Sequence, residues 1–264
     1  MPESRRPRFE DLTETTGIPL SAEAAQMLYG RYRLAADLAR GKRVLEIGCG
    51  AGLGFGLLGR QADLLVGGDV SPALLESGQR YYRGRFSFVQ LSAEGLPFRD
   101  AAFDLVLCFE ASYYVPDMSA AFAELARVLA PEGVAVFVNA NPECGDFIAS
   151  PHSTHYHTAD EFRAALGALG VNVTVEGAFP LDARRDGVLS VARRVLERLG
   201  LVPRTLAGRA RLKRLIYGRL TKLPPELPDG FATLAPRAAV APGPVRDFKV
   251  IYVIGRTSAR RRLA

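Results

Sequence analysis

Residues 44–52 read Val-Leu-Glu-Ile-Gly-Cys-Gly-Ala-Gly, an apolar run that passes directly into glycines at alternate positions. Such a run is a short buried strand that ends in a tight turn, because glycine reaches positive φ and leaves the backbone bare to a ligand. A strand, a glycine turn and a following helix form a cradle for the polar part of a nucleotide-like molecule. Leu53 stands where a dinucleotide fingerprint places its third glycine, so the turn fits NAD or FAD poorly. Glu46 lies inside the strand end and adds a carboxylate to the cradle.

The segments downstream keep the same grammar. Leu64–Val70 is a second apolar run containing Asp69, an acid about 20 residues past the glycines and so placed to accept hydrogen bonds from ribose hydroxyls. Ser71-Pro72 then supplies an N-cap and a first-turn proline for a helix. Ser92-Ala93-Glu94-Gly95-Leu96-Pro97-Phe98, the run Phe103–Cys108, and Arg127–Gly133 before the run Val134–Val138 follow in order. With Glu46 and the GxGxG turn, these segments resemble class I S-adenosylmethionine-dependent methyltransferases over roughly residues 40–180. Within that group the pattern is similar to small-molecule methyltransferases of bacterial secondary metabolism.

Strands are expected at 43–47, 64–69, 86–90, 103–108, 134–139, 171–178 and 248–255, and helices at 21–40, 52–60, 72–83, 118–129 and 159–169. Thr158-Ala-Asp-Glu161 reads as a capping box. Alternating strands and helices imply an α/β, doubly wound, mostly parallel sheet. The resemblance implies a seven-stranded, Rossmann-like methyltransferase fold whose last strand is antiparallel. About 70 residues separate its last two strands, with helical stretches at 189–199 and 206–220. Four regions are therefore expected: an N-terminal cap helix (1–40), a cofactor-binding core (41–178), a helical insertion acting as a substrate lid (179–247), and the last strand with a basic tail (248–264).

The resemblance implies S-adenosylmethionine as cofactor. It places Glu46, Gly48 and Gly50 by the methionine portion, Asp69 on the ribose, and Val70, Ser92, Ala93 and Glu94 around the adenine, with Cys49 and Gly52 of the same turn as further cofactor-binding candidates. Phe109 stands at the carboxyl edge of the sheet, where ligands meet, and Arg33 on the first helix is a candidate partner for the donor's carboxylate. Tyr113 and Tyr114 are candidates to line the acceptor pocket or polarise the nucleophile, or to pack as wall residues. All three histidines fall in Pro151–Thr158; His155 and His157 are the candidate general bases. No acidic or cysteine ligand accompanies them at a metal-binding spacing, so no metal is expected.

Composition narrows the class further. A hydrophobic content of 48% is that of a globular chain, and no run approaches the ~18 apolar residues of a membrane span. No secretory h-region follows Met1, and three cysteines without a Cys-x-x-Cys pair fit a reducing cytoplasm. The net charge of +6 is uneven: residues 184–222 carry about a dozen Arg and Lys against Asp186 and Glu197. Arg193, Arg194, Arg211 and Arg214 are candidates to face an anionic group on a small-molecule acceptor; a solvated helix face explains them equally well. The expected reaction is methyl transfer to oxygen or nitrogen of a small or medium metabolite, a natural product or a sugar. Two alternatives remain open: methylation of RNA held by the basic insertion, although aromatics for base stacking are sparse there, and an inactive protein that keeps the cofactor cradle. Nothing in the sequence fixes the oligomeric state.

Overall fold

The computed structural model describes residues 16–150, 152–181 and 220–259. In chain order its strands are β1 (Pro19–Leu20), β2 (Arg43–Ile47), β3 (Leu64–Asp69), β4 (Ser87–Gln90), β5 (Phe103–Phe109), β6 (Leu129–Ala140), β7 (Val171–Pro180), β8 (Thr221–Lys222), β9 (Arg237–Ala239) and β10 (Phe248–Thr257). The helices are α1 (Ala22–Leu38), α2 (Phe55–Leu58), α3 (Pro72–Tyr82), α4 (Met118–Val128) and α5 (Ala159–Ala168), with a one-turn 3-10 helix at Ser112–Tyr114.

The main sheet has the order β4-β3-β2-β5-β6-β10-β7-β9. Strands β2 to β6 run parallel, and β10 inserts antiparallel between β6 and β7. The order reverses between β2 and β5, which opens a crevice at their carboxyl ends where such sheets take ligands. The expected seven strands become eight. Arg237–Ala239 pairs antiparallel with β7 at the edge, and its three exposed residues carry no periodic pattern that marks a strand.

Local chemistry explains the helix starts. Ser21 caps α1 by accepting from the Ala24 amide, and Ser71 caps α3 ahead of Pro72. Thr158 and Glu161 bond reciprocally at the start of α5, which completes the capping box. The helix expected over 52–60 shrinks to one turn, Phe55–Leu58. Its glycines serve close packing instead of helix formation: a Cβ on Gly54 would fall 2.0 Å from the Tyr32 ring, and one on Gly59 2.2 Å from Phe86. Glycine also costs about 1 kcal/mol per helical position.

Apolar side chains pack on both faces of the sheet. On one face Leu28, Tyr32 and Ala35 of α1 meet Phe55, Leu58, Leu75 and Tyr82. On the other, Phe122 and Leu125 of α4 meet Phe137, Phe162 and Leu166. The helices expected at 189–199 and 206–220 lie outside the described residues, except Leu220, as do Arg193, Arg194, Arg211 and Arg214. The described end of the insertion runs back over the core. Strand β8 pairs with β1, Leu223 and Leu227 are buried, and the Leu227 amide donates to the Leu53 carbonyl at 3.0 Å.

Candidate active site

The turn after β2 is held open by three glycines in the left-handed region: Gly48 (φ 73), Gly50 (φ 55) and Gly52 (φ 77). Gly48 must stay bare for a second reason: a Cβ there would sit 2.4 Å from Ala111 Cβ, in the segment that follows β5. Asp69 laces the turn to the next strand. One carboxylate oxygen accepts from the Gly50 amide at 2.8 Å and the other from the Ser71 amide at 2.9 Å. These two bonds fix the carboxylate's direction at the edge of the crevice.

A cavity of about 1100 Å³ opens at this edge. Its wall brings together Gly48, Cys49, Gly50, Asp69, Val70, Ser92, Ala93, Glu94, Phe109, Tyr113 and Tyr114 from four segments of the sequence. The residues present fit a nucleoside. The glycine backbone is bare, the Asp69 carboxylate stands at the adjoining strand end, and Val70 exposes 46% of its surface where a flat base could cover it. Ser92 and Glu94 bond to one another, and Glu94 Oε1 accepts from the Asp117 amide, so this side of the wall is internally braced.

Glu46 does not reach the wall. It is 1% exposed, and its Oε1 accepts a 2.8 Å bond from the hydroxyl of Tyr32, a wall residue. Its Oε2 has no hydrogen-bond partner among the described residues. Burial pushes its pKa up to about 8; the Tyr32 bond and the Arg31 charge pull the other way, and Asp69 adds to the rise. Glu46 therefore folds as a neutral acid. Because the folded value lies above the unfolded one of 4.5, its contribution to stability is complete below pH 4.5 and is lost as pH rises to about 8. The ligand-free protein should lose on the order of a few kcal/mol across that window, and Glu46→Gln should flatten the loss. Urea midpoints at pH 5 and pH 8 check this; equal slopes in both proteins would contradict it.

Arg33 points elsewhere. It is partly exposed and bonds Asp37 one turn along α1 at 2.6 Å, an ordinary surface pair. The arginine on the wall is Arg31, 6% exposed, with its guanidinium 5.7 Å from the Tyr32 ring centre. Gly52 is also off the wall; its carbonyl accepts from the Tyr82 hydroxyl at 2.7 Å.

The two histidines are away from the cavity as well. His155 is exposed and pairs with Glu161 through Nε2 at 3.1 Å. His157 sits between the rings of Phe122 and Phe162, on α4 and α5, with Nδ1 buried and without a hydrogen-bond partner among the described residues. Burial lowers its pKa, so it stays a neutral packing residue. Both are held at the start of α5, off the cavity wall. Among the described residues no cluster of His, Cys, Asp and Glu could hold a metal ion.

Tyr113 and Tyr114 stand on the wall in different settings. Tyr113 is 7% exposed, stacks on Tyr156 at 4.1 Å and donates to Glu110 Oε2 at 2.9 Å. Burial and the Glu110 charge hold its phenol well above the usual range, so it keeps its proton. Tyr114 bonds Ser150, whose amide donates to the Tyr156 hydroxyl at 3.0 Å. Sequence reasoning missed Glu110, a non-glycine residue at φ 50 on the wall. Its signal was its place just past a strand at the carboxyl edge. It also missed Phe147, Ile148 and Pro225, which complete the wall.

Fold and cradle together define a nucleoside-binding, Rossmann-like domain of the methyltransferase type. Residues 45–137 match the family described as a methyltransferase domain, and that segment carries the chain's likeness to class I S-adenosylmethionine-dependent methyltransferases. S-adenosylmethionine is the cofactor that such a domain takes. A probable phthiotriol/phenolphthiotriol dimycocerosates methyltransferase 2 of Mycobacterium ulcerans is 37% identical over 147 residues, 54% of this chain and 52% of that one. A fatty-acid O-methyltransferase of Mycolicibacterium smegmatis is 38% identical over 135 residues, 48% of each chain. This chain thus spans about half the length of the curated relatives it matches. The solved structure of Haemonchus contortus phosphoethanolamine N-methyltransferase 2 in complex with S-adenosyl-L-methionine superposes with a TM-score of 0.54 at 14% identity, covering 88% of this chain and 52% of that one. That likeness is one of fold.

Proposed function

We propose that the protein transfers a methyl group from S-adenosylmethionine to an oxygen of a small lipid-like acceptor. The observation that carries this reading is the cavity at the carboxyl edge of the sheet. Its volume exceeds the ~300–1,000 Å³ of an ordinary ligand pocket, and away from the glycine turn its wall carries a group of apolar side chains, Met27, Val115, Phe147, Ile148 and Val250, beside polar ones such as Asn141, Asp146, Ser150 and Lys249. Ile148 exposes 59% of its surface there, which an acyl or alkyl chain would cover. A sugar would ask instead for a dense set of polar partners. The names of the relatives, lipid and fatty-acid methyltransferases, agree with this choice.

The bound cofactor supplies a methyl carbon on a positively charged sulfur, which needs no activation by the protein. The chain's own residues hold, align and shield. The bare turn at Gly48 and Gly50 admits the polar backbone of the ligand, Asp69 takes the sugar, and Val70 with Ala93 takes the base. The segment after β8 shields the turn: Pro225 is on the wall, and Asp229 accepts from the Tyr29 hydroxyl at 2.6 Å. We read this segment as a cover on the cofactor side of the cavity. All three cysteines are buried free thiols, which supports a reducing compartment.

Replacing Ile148 by Asp tests the acceptor class. Michaelis constants for a long-chain acceptor should rise at least about tenfold, since roughly 1.5–3 kcal/mol accompanies burial of such a side chain. S-adenosylhomocysteine affinity should stay the same by calorimetry. An unchanged Michaelis constant would remove the apolar wall from acceptor binding.

A further inference from the structure

We propose that Glu110 is the proton acceptor for a hydroxyl on the methyl acceptor, and that its carboxylate selects neutral hydroxyl acceptors over carboxylates. The inference rests on the lipid-acceptor reading and sharpens it.

Glu110 is held at both ends. Its amide donates to the Val138 carbonyl at 2.9 Å, and its Oε2 accepts from Tyr113 at 2.9 Å. Its backbone sits at φ 50, in the left-handed region that strains a residue with a side chain. A residue kept in that region at the carboxyl edge of the sheet, on the cavity wall, is where a side chain is aimed for use.

Among the described residues its charge is felt by Tyr113 of the 3-10 turn, Tyr156 of the following loop, Cys108 of β5 and Tyr252 of β10. All of them are protonated and neutral near pH 7, so Glu110 is the group among them equipped to receive a proton. Tyr113 is in turn anchored: the Thr154 amide and hydroxyl both donate to its carbonyl, at 2.7 and 3.0 Å. Tyr113 is thus a positioning residue. Its donated bond holds the Glu110 carboxylate in place at the wall.

The acceptor's oxygen forms its bond to the methyl carbon as the carbon–sulfur bond breaks; the electron pair stays on sulfur, and the hydroxyl proton passes to Glu110. A carboxylate acceptor has no proton to give and would meet a like charge.

The test uses decanol and decanoate as probes on the full chain with S-adenosylhomocysteine bound, by calorimetry at pH 8. Wild type should bind decanol at least about tenfold tighter than decanoate, and Glu110→Gln, an isosteric change, should shrink that gap to within about threefold. With S-adenosylmethionine, Glu110→Gln should cut decanol methylation roughly 10²–10⁴-fold. Tyr113→Phe should shift the acid limb of kcat/KM to higher pH, which a merely structural role would not do. Decanoate bound as tightly as decanol by wild type, or full turnover in Glu110→Gln, would overturn the assignment. If neither probe binds while S-adenosylhomocysteine does, the lipid-acceptor reading itself falls, and the Glu110 assignment falls with it.

Discussion

Replacing Asp69 by Ala should weaken S-adenosylhomocysteine binding on the order of 10²–10³-fold. Hydrogen bonds to a charged acceptor are worth about 1.5–3 kcal/mol each, and every 1.4 kcal/mol is tenfold in affinity. Two losses combine. Sugar hydroxyls lose their acceptor, and the Gly50 and Ser71 amides lose the carboxylate that now fixes the turn. Asp69→Asn separates them: it keeps an oxygen for one amide but removes the charge, so its affinity should fall between wild type and the alanine variant. Calorimetry on folded protein, checked by thermal melting, reads both. Wild-type affinity in a folded Asp69→Ala protein would take Asp69 out of the site.

The second large effect is on stability. Gly48→Ala should lower the melting temperature by roughly 5–15 °C, since about 1 kcal/mol corresponds to some 2–4 °C in a chain of this size. The left-handed backbone at φ 73 adds about 1–2 kcal/mol of strain for a residue with a Cβ. Overlap with Ala111 Cβ at 2.4 Å adds about 1–3 kcal/mol more. The steric share is separable by a double-mutant cycle, because Ala111→Gly makes room for the new methyl. The double variant should recover part of the loss and keep the strain share. Strict additivity of the two single changes would mean that Gly48 and Ala111 do not meet.

The parts of this site that could be read along the chain are those whose chemistry is local. The glycine turn, Asp69 about 20 residues later, the Ser71-Pro72 cap and the Thr158–Glu161 box each depend on neighbours a few positions away. What was not legible depends on helix phase or on distant contacts. Arg33 and Arg31 are two residues apart, yet the 3.6-residue period that buries Leu28, Tyr32 and Ala35 turns Arg31 inward and Arg33 to Asp37. Glu46 was visible as an acid in a strand end, but its shielding from the cavity by the Tyr32 bond was not. His155 and His157 looked available because titratable residues clustered. The start of α5 draws one to Glu161 and packs the other between two phenylalanines. Glu110 and Tyr113, three residues apart, become a pair only because the chain turns back at the 3-10 helix. The short edge strand β9 exists only through its partner β7.

The most direct test follows a radiolabelled methyl group from S-adenosylmethionine into a mixture of long-chain alcohols and hydroxylated lipids, with extraction into organic solvent. The account predicts label in the organic phase with the wild-type protein, and its loss with Asp69→Ala. Label found only in water-soluble acceptors such as amines or sugars, or no transfer to any hydroxyl lipid by protein that binds the cofactor, would contradict it.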